Sequence, residues 1–120
     1  LLLSLSAKER DAALGKAPYV RLTPKTITTR KELMSNLDTA TRDGIATNLE
    51  ENFIGFCAIA APLTLGPERV VGSIVLTGST DRFVPARLEG MSASLRSSAQ
   101  LISTGSASVR GIHAMFGTPR

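Results

Sequence analysis

Glu50 and Glu51 are the adjacent carboxylate pair of this sequence, and converging carboxylates are a common source of general acid–base chemistry. They follow Ile45-Ala46-Thr47-Asn48, a strand-like run in which neighbouring side chains point to opposite faces. That alternation predicts one solvated edge charge and one structural hydrogen bond or ion pair, not an acid beside its base. His113 is the only histidine, so a Ser/His/Asp or Cys/His set would have to draw on the far end of the chain. Cys57 is the only cysteine; it has no internal disulfide partner and is expected as a small buried apolar residue. One Cys and one His fall short of the three or four ligands of a zinc site. The glycines at 66, 72 and 78 spell neither G-x-G-x-x-G nor a phosphate loop. No catalytic residue, metal ligand or cofactor is expected, and the sequence does not read as an enzyme's.

The length, 120 residues, suits one domain with one core. No apolar run approaches the roughly 20 residues that cross a bilayer, and Leu1-Leu2-Leu3 lacks the basic lead of a signal peptide. A soluble, cytoplasmic chain is the expectation. The net charge of +4 is concentrated early, in Lys8, Arg10, Lys16, Arg21, Lys25, Arg30 and Lys31. These are spread over helix, loop and turn, and the aromatics (Tyr19, Phe53, Phe56, Phe83, Phe116) are too scattered to stack bases. A solvated basic surface is expected, not direct DNA contact.

The elements that must position any binding residues follow from caps and periodicity. Ser6-Ala7-Lys8-Glu9 and Thr29-Arg30-Lys31-Glu32 both have capping-box spacing. The first predicts a short helix ending near Gly15; the second predicts a longer one, with Leu33, Leu37 and Ala40 on one face and Gly44 as its left-handed stop. Between them, Pro18, Pro24 and the threonines predict an extended connector over 16–28. β-Branched and apolar residues predict strands near 45–48, 55–65 and 69–77, the last two joined as a hairpin by Gly66-Pro67-Glu68. Pro85 opens a helix whose Leu88, Met91, Leu95, Ala99 and Ile102 should pack on the sheet, leaving Ser94, Ser97 and Ser98 outside. Beyond Gly105, residues 106–120 read as a C-terminal tail. The layout is α+β, an antiparallel sheet with helices on at least one face. Leu1 looks like the middle of a helix, so residues upstream are expected to complete both that helix and the sheet.

Leu1 to about Ser103 resembles the second half of the effector-binding domain of IclR-type (isocitrate lyase regulator) transcriptional regulators. LLLSLSAKERD is similar to that family's capped short helix, LTPKTITT to its threonine-rich connector, and RDGIATNLEENFIGFCAIAAPL to its core signature. VVGSIVLTGSTDRF is similar to the strand that follows. The resemblance implies a GAF-like antiparallel sheet flanked by helices, incomplete at its N-terminus, with residues 1–105 as the partial domain. It implies a small organic acid or aromatic metabolite as effector. Homodimers or homotetramers are further implied, as is DNA binding only through a winged helix-turn-helix that would lie upstream of Leu1. The alternative is a stand-alone GAF-like binding module without a DNA-binding domain; a small enzyme is a weaker third.

Carried over by position, with Ala61-Pro62 as anchor, the family's ligand-facing residues match Asn48, Phe56, Ala58, Val75 and Thr77. Strand alternation places 56 with 58 and 75 with 77 on shared faces. Asn48 stands where the family often has Asp, Ala58 where Cys is frequent and Val75 where Ser occurs in members that bind small keto acids. An amide removes a charge that would repel a carboxylate, and Phe56 is available for stacking. A bulkier or aromatic acid is therefore expected in preference to glyoxylate or pyruvate.

Overall fold

A computed structural model describes residues 2–67 and 69–116. The side chains of His113 and Phe116 lie outside the described residues, as do Glu68 of the expected hairpin turn and 117–120 of the expected tail.

Both capping boxes form the helix starts their spacing predicts. Ser6 caps α1 (Ala7–Leu14) by accepting the Glu9 N–H, while the Glu9 carboxylate accepts the Ser6 N–H. Thr29 Oγ1 caps α2 (Arg30–Asp43) by accepting the Glu32 N–H, and its hydroxyl donates to the Glu32 carboxylate; Gly44 ends the helix in the left-handed region at φ 66. The connector between them is pinned by its own threonines: Thr26 Oγ1 accepts the N–H groups of Leu22 and Thr23. The expected free basic surface is partly committed to structure. Arg10 donates to the carbonyls of Leu2 and Leu5, Arg21 to that of Pro24, and Arg30 pairs with Asp11.

Three strands, β1 (Ala46–Leu49), β2 (Phe56–Leu65) and β3 (Arg69–Ser79), form an antiparallel sheet in the order β1-β2-β3. β1 reaches only to the Ala46↔Ala60 pair. Pro62, which has no N–H to give, thus falls where β2 has lost its neighbour on that side. Between Leu63 and Thr64 the β2–β3 register shifts, so that Gly72 and Val70 face successive β2 residues and Val71 is the extra one. The Thr64 N–H at this bulge donates to Ser103 Oγ at 2.9 Å, tying the sheet to the end of α3 (Pro85–Gly105).

The core lies between the sheet and α3. Ile45, Cys57, Ile59 and Ala61, odd-numbered and so on one side of the pleat, meet Phe83, Leu95 and Ala99. Leu88 and Met91 pack against this cluster, as the helical stripe predicts, while Ser94, Ser97 and Ser98 are exposed. Cys57 is buried at 2 % exposure, the role expected for it. Gly78 lies on the same side, and a Cβ there would stand 3.3 Å from the Phe83 ring.

Within the segment expected as a tail, Ala107–Phe116 are not frayed but form a further helix, α4. Its start is capped by Ser106 Oγ, which accepts the N–H groups of Ser108 and Val109. Val109, 3 % exposed, is buried, and the helix lies against β2 and β3. Val109 is its buried residue among those described.

Ile59 has 0 % exposure at the centre of this core. Ile59→Ala should lower the unfolding free energy by roughly 2–5 kcal/mol in urea titrations. Ser94→Ala on the outer face of α3 should stay within about 0.5 kcal/mol of the parent.

Candidate functional site

The turn after β1 is organised by Glu50. Its backbone sits in the left-handed region at φ 61, unusual for a residue with a Cβ. The side chain compensates: Oε1 accepts the Gly55 N–H at 2.8 Å and the Thr80 hydroxyl at 3.0 Å, and Oε2 accepts the Lys25 ammonium. The backbone is held as well, since Thr23 donates to the Glu50 carbonyl and Thr26 to the Glu51 carbonyl, each at 2.6 Å. The ammonium of Lys25, then the Gly55 amide and the Thr80 hydroxyl, hold the Glu50 carboxyl down at about 2. This is the structural ion pair expected of one member of the carboxylate pair. The other expectation needs correction: Glu51 is not a solvated edge charge but half-buried, and burial pushes its carboxyl up.

This anchored turn delivers β1 to β2 in a register that pairs Asn48 with Ala58, and β2–β3 pairing sets Ala58 opposite Thr77. Asn48, Ala58 and Thr77 therefore form one row across the sheet, on the side away from α3. Phe56 stands two residues along β2 from Ala58, and Val75 pairs with Ala60 in the row on the other side. All five residues singled out in the sequence thus share one face: Asn48 and Thr77 border Ala58 across the strands, Phe56 borders it along β2, and Val75 lies diagonally from it, beside Thr77 on β3. The face is open, with Phe56 52 % and Val75 55 % exposed. The even-numbered positions 46, 58 and 60 are alanines, which leaves a low floor between the bordering side chains.

Asn48 Oδ1 accepts the Glu51 N–H at 3.0 Å, and Thr77 Oγ1 donates to the Cys57 carbonyl at 3.1 Å. Both side chains are thereby fixed on the strands that carry them. At the far end of the same face, a cavity of ≈ 350 Å³ takes in Ala46, Ala60, Pro62 and Ser73 under Leu3 and Ser4. The five residues do not line it; they continue its floor. A separate cleft of ≈ 490 Å³ runs between α2 and α3 on the opposite side of the sheet. Within it Arg96 pairs with the Glu89 carboxylate and donates to the Asp43 backbone carbonyl, while the Asp43 carboxylate pairs with Arg42. Among the described residues no three His, Cys, Asp or Glu side chains gather as a metal site.

The family model for the bacterial transcriptional regulator IclR C-terminal domain matches residues 1–104. The chain belongs to the IclR family. It is 33 % identical over 104 residues to the HTH-type transcriptional repressor AllR of Klebsiella pneumoniae, a match covering 87 % of this chain and 38 % of AllR. The chain therefore spans well under half the length of that relative. Among solved structures, a transcriptional regulator of Rhodococcus sp. RHA1, RHA06195, superposes with a TM-score of 0.80 at 32 % identity, over 91 % of this chain and 45 % of that one. The inducer-binding domain of PobR from Acinetobacter, a double mutant solved with 3-hydroxybenzoic acid, gives a TM-score of 0.74 at 25 % identity over 86 % and 59 %. The IclR-family relatives matched in sequence are transcriptional regulators, not enzymes.

What the sequence reading missed is the set that fixes the Glu50 turn: Lys25, Thr23, Thr26, Gly55 and Thr80. Their partners lie 25 or more residues away in most cases, so no local spacing reveals them. The one visible signal was a lysine set among threonines in Thr23-Pro24-Lys25-Thr26, within a segment of this IclR-type chain otherwise read as a spacer.

Because the folded-state carboxyl of Glu50 lies at about 2, below its ordinary 4.5, its contribution to stability is present above about 4.5 and is lost as pH falls toward 2. Glu50→Gln should lower the thermal midpoint at pH 6. The gap to the parent protein should narrow between pH 4.5 and pH 2, as followed by circular dichroism.

Proposed function

We propose that this chain is the greater part of an effector-binding domain in a DNA-binding transcriptional regulator, and that the face carrying Asn48, Phe56, Ala58, Val75 and Thr77 is the floor of its effector site. The observation that carries this reading is the register Asn48–Ala58–Thr77, which brings residues from three strands into one row with the smallest side chain at its centre. An open floor of alanines bordered by an aromatic, an aliphatic, an amide and a hydroxyl side chain suits a small ligand with a flat apolar body and a few polar groups. The relatives named as HTH-type regulators, and a structural neighbour described as an inducer-binding domain, support a sensing role over a stand-alone binding module.

The effector we propose is an organic acid, bulkier or aromatic in preference to glyoxylate or pyruvate. Phe56 and Val75 offer apolar walls, and the amide at position 48 places no negative charge against a carboxylate. Ligand occupancy would bias an upstream winged helix-turn-helix, in a homodimer or homotetramer working in the cytoplasm. Among the described residues no helix is long and apolar enough to cross a membrane.

Thermal-shift screening of the intact protein tests the effector class. A ligand present at a hundred times its Kd adds about 2.7 kcal/mol to stability, so aromatic acids should raise the midpoint by several degrees. Ala58→Phe, which fills the floor from an open face, should abolish that rise while leaving the unliganded midpoint close to the parent's. Stabilisation by glyoxylate alone would overturn the aromatic-acid preference, and an unchanged response in Ala58→Phe would remove this face from the site.

A further inference from the structure

The cleft between α2 and α3 is lined by three elements. On α3, Glu89, Ser92 and Arg96 recur at intervals of three and four and so share one face. On α2, Asn36, Ala40 and Asp43 do the same. Thr47 of β1 pairs with Ile59, which puts it on the α3 side of the pleat, and with Ile45 it completes the lining at the edge of the sheet. The space measures ≈ 490 Å³, and Ala40, Ile45 and Leu88 give it an apolar part among the polar groups. Among the described residues that line it there is no aromatic ring.

Ser92 is the residue that points to an occupant. It is 5 % exposed, yet its hydroxyl makes no hydrogen bond among the described residues. Thr41 of α2 and Thr104 of α3 each donate back to the carbonyl one turn earlier, the usual refuge of a helical hydroxyl, and Ser92 does not. A buried hydroxyl left without a partner costs free energy, so one kept in the wall of a cleft is accounted for by a partner from outside the chain. The Asn36 amide and the Thr47 hydroxyl are likewise uncommitted among the described residues.

The charges decide what kind of molecule fits. Arg96 meets the Glu89 carboxylate at 3.3 Å, and because Glu89 is exposed this pair is weak and readily exchanged. The Asp43 carboxylate is occupied by Arg42. An anion bound at Arg96 would strand Glu89 beside it, and a cation bound at Glu89 would strand Arg96. A molecule carrying both charges replaces one weak internal pair with two complementary ones. We propose that this cleft is a second ligand site, on the side of the sheet away from the proposed effector floor, for a free α-amino acid with an aliphatic side chain. The carboxylate meets the Arg96 guanidinium and accepts from the Ser92 hydroxyl, the ammonium meets the Glu89 carboxylate, and the side chain lies on Ala40, Ile45 and Leu88. Such an occupant ties α2 to α3 whatever ligand the other side of the sheet takes.

Calorimetric titration of the intact protein with L-leucine, L-leucinamide and 4-methylpentanoate tests this. L-Leucine should bind, and each analogue, which lacks one of the two charges, should bind roughly tenfold or more weakly, the size of one charge-assisted hydrogen bond. Ser92→Ala should weaken L-leucine by about threefold or more, as for a neutral hydrogen bond. Glu89→Gln, a change at an exposed position, should erase the gap between L-leucine and 4-methylpentanoate while keeping that between L-leucine and L-leucinamide. Ala58→Phe, on the other side of the sheet, should leave the L-leucine titration as it is in the parent. Thermal melts of Ser92→Ala and Glu89→Gln close to the parent's establish that both variants are folded. Absence of L-leucine binding by the parent, binding undiminished in Ser92→Ala, or binding lost in Ala58→Phe would overturn the site. Analogues that bind as well as L-leucine, or a gap to 4-methylpentanoate that survives Glu89→Gln, would overturn the assignment of an amino acid to it.

Discussion

The carboxylate of Glu50 is the fixed point of this fold. It gathers an amide from Gly55, a hydroxyl from Thr80 and an ammonium from Lys25, three segments distant in sequence. The same residue carries a left-handed backbone, so the chain leaves β1 sharply and re-enters as β2 after a short turn. The ion pair alone would be a weak tether, because Lys25 is 60 % exposed and open to screening by salt. The neutral donors share the load, and Thr23 and Thr26 hold the neighbouring carbonyls from the connector side. A bent backbone, a buried acceptor and a threonine-rich spacer act as one joint. On that joint depends which residue of β1 stands beside Ala58.

The pleat of β2 then divides labour between its two sides. Cys57, Ile59 and Ala61 meet α3 and form the core, while Phe56, Ala58 and Ala60 face the other way and remain accessible. Stability is thus drawn chiefly from one side, and the proposed effector floor lies on the other. Two polar side chains of the open side are tied to backbone groups, Asn48 to the Glu51 N–H and Thr77 to the Cys57 carbonyl, so their orientation is a property of the fold's own bonding. That is the kind of preorganisation that lets a small ligand bind without a large ordering cost.

Most of the scaffold was legible in the sequence because its signals are local. Two capping boxes, a left-handed glycine, a Pro at the first turn of α3 and alternating β-branched runs each report on a few neighbouring residues. The shared face of the five site residues was legible for the same reason along each strand, and by resemblance across strands. Two things were not legible. The Glu50 joint depends on contacts across the chain, and neither member of the carboxylate pair is the solvated charge expected of one of them, since Glu50 is buried and Glu51 half-buried. The helix Ala107–Phe116 was read as tail because the residues beyond Gly105 include several small and polar ones. Only the burial of Val109 distinguishes the two, and burial is a tertiary fact.

The register shift between Leu63 and Thr64 lies nearer the hairpin turn than the Ala58 row. In a regular ladder, gaining or losing one residue would exchange the two sides of a strand, sending core residues to water and the residues of the proposed floor into the core. Here the irregular pair already accommodates one surplus residue, Val71, on the turn side of the row. Length changes near Gly66 therefore have a place to be taken up before they reach Ala58 and Thr77. A change of loop length at that end of the hairpin can thus leave the side chains presented by the sheet in phase.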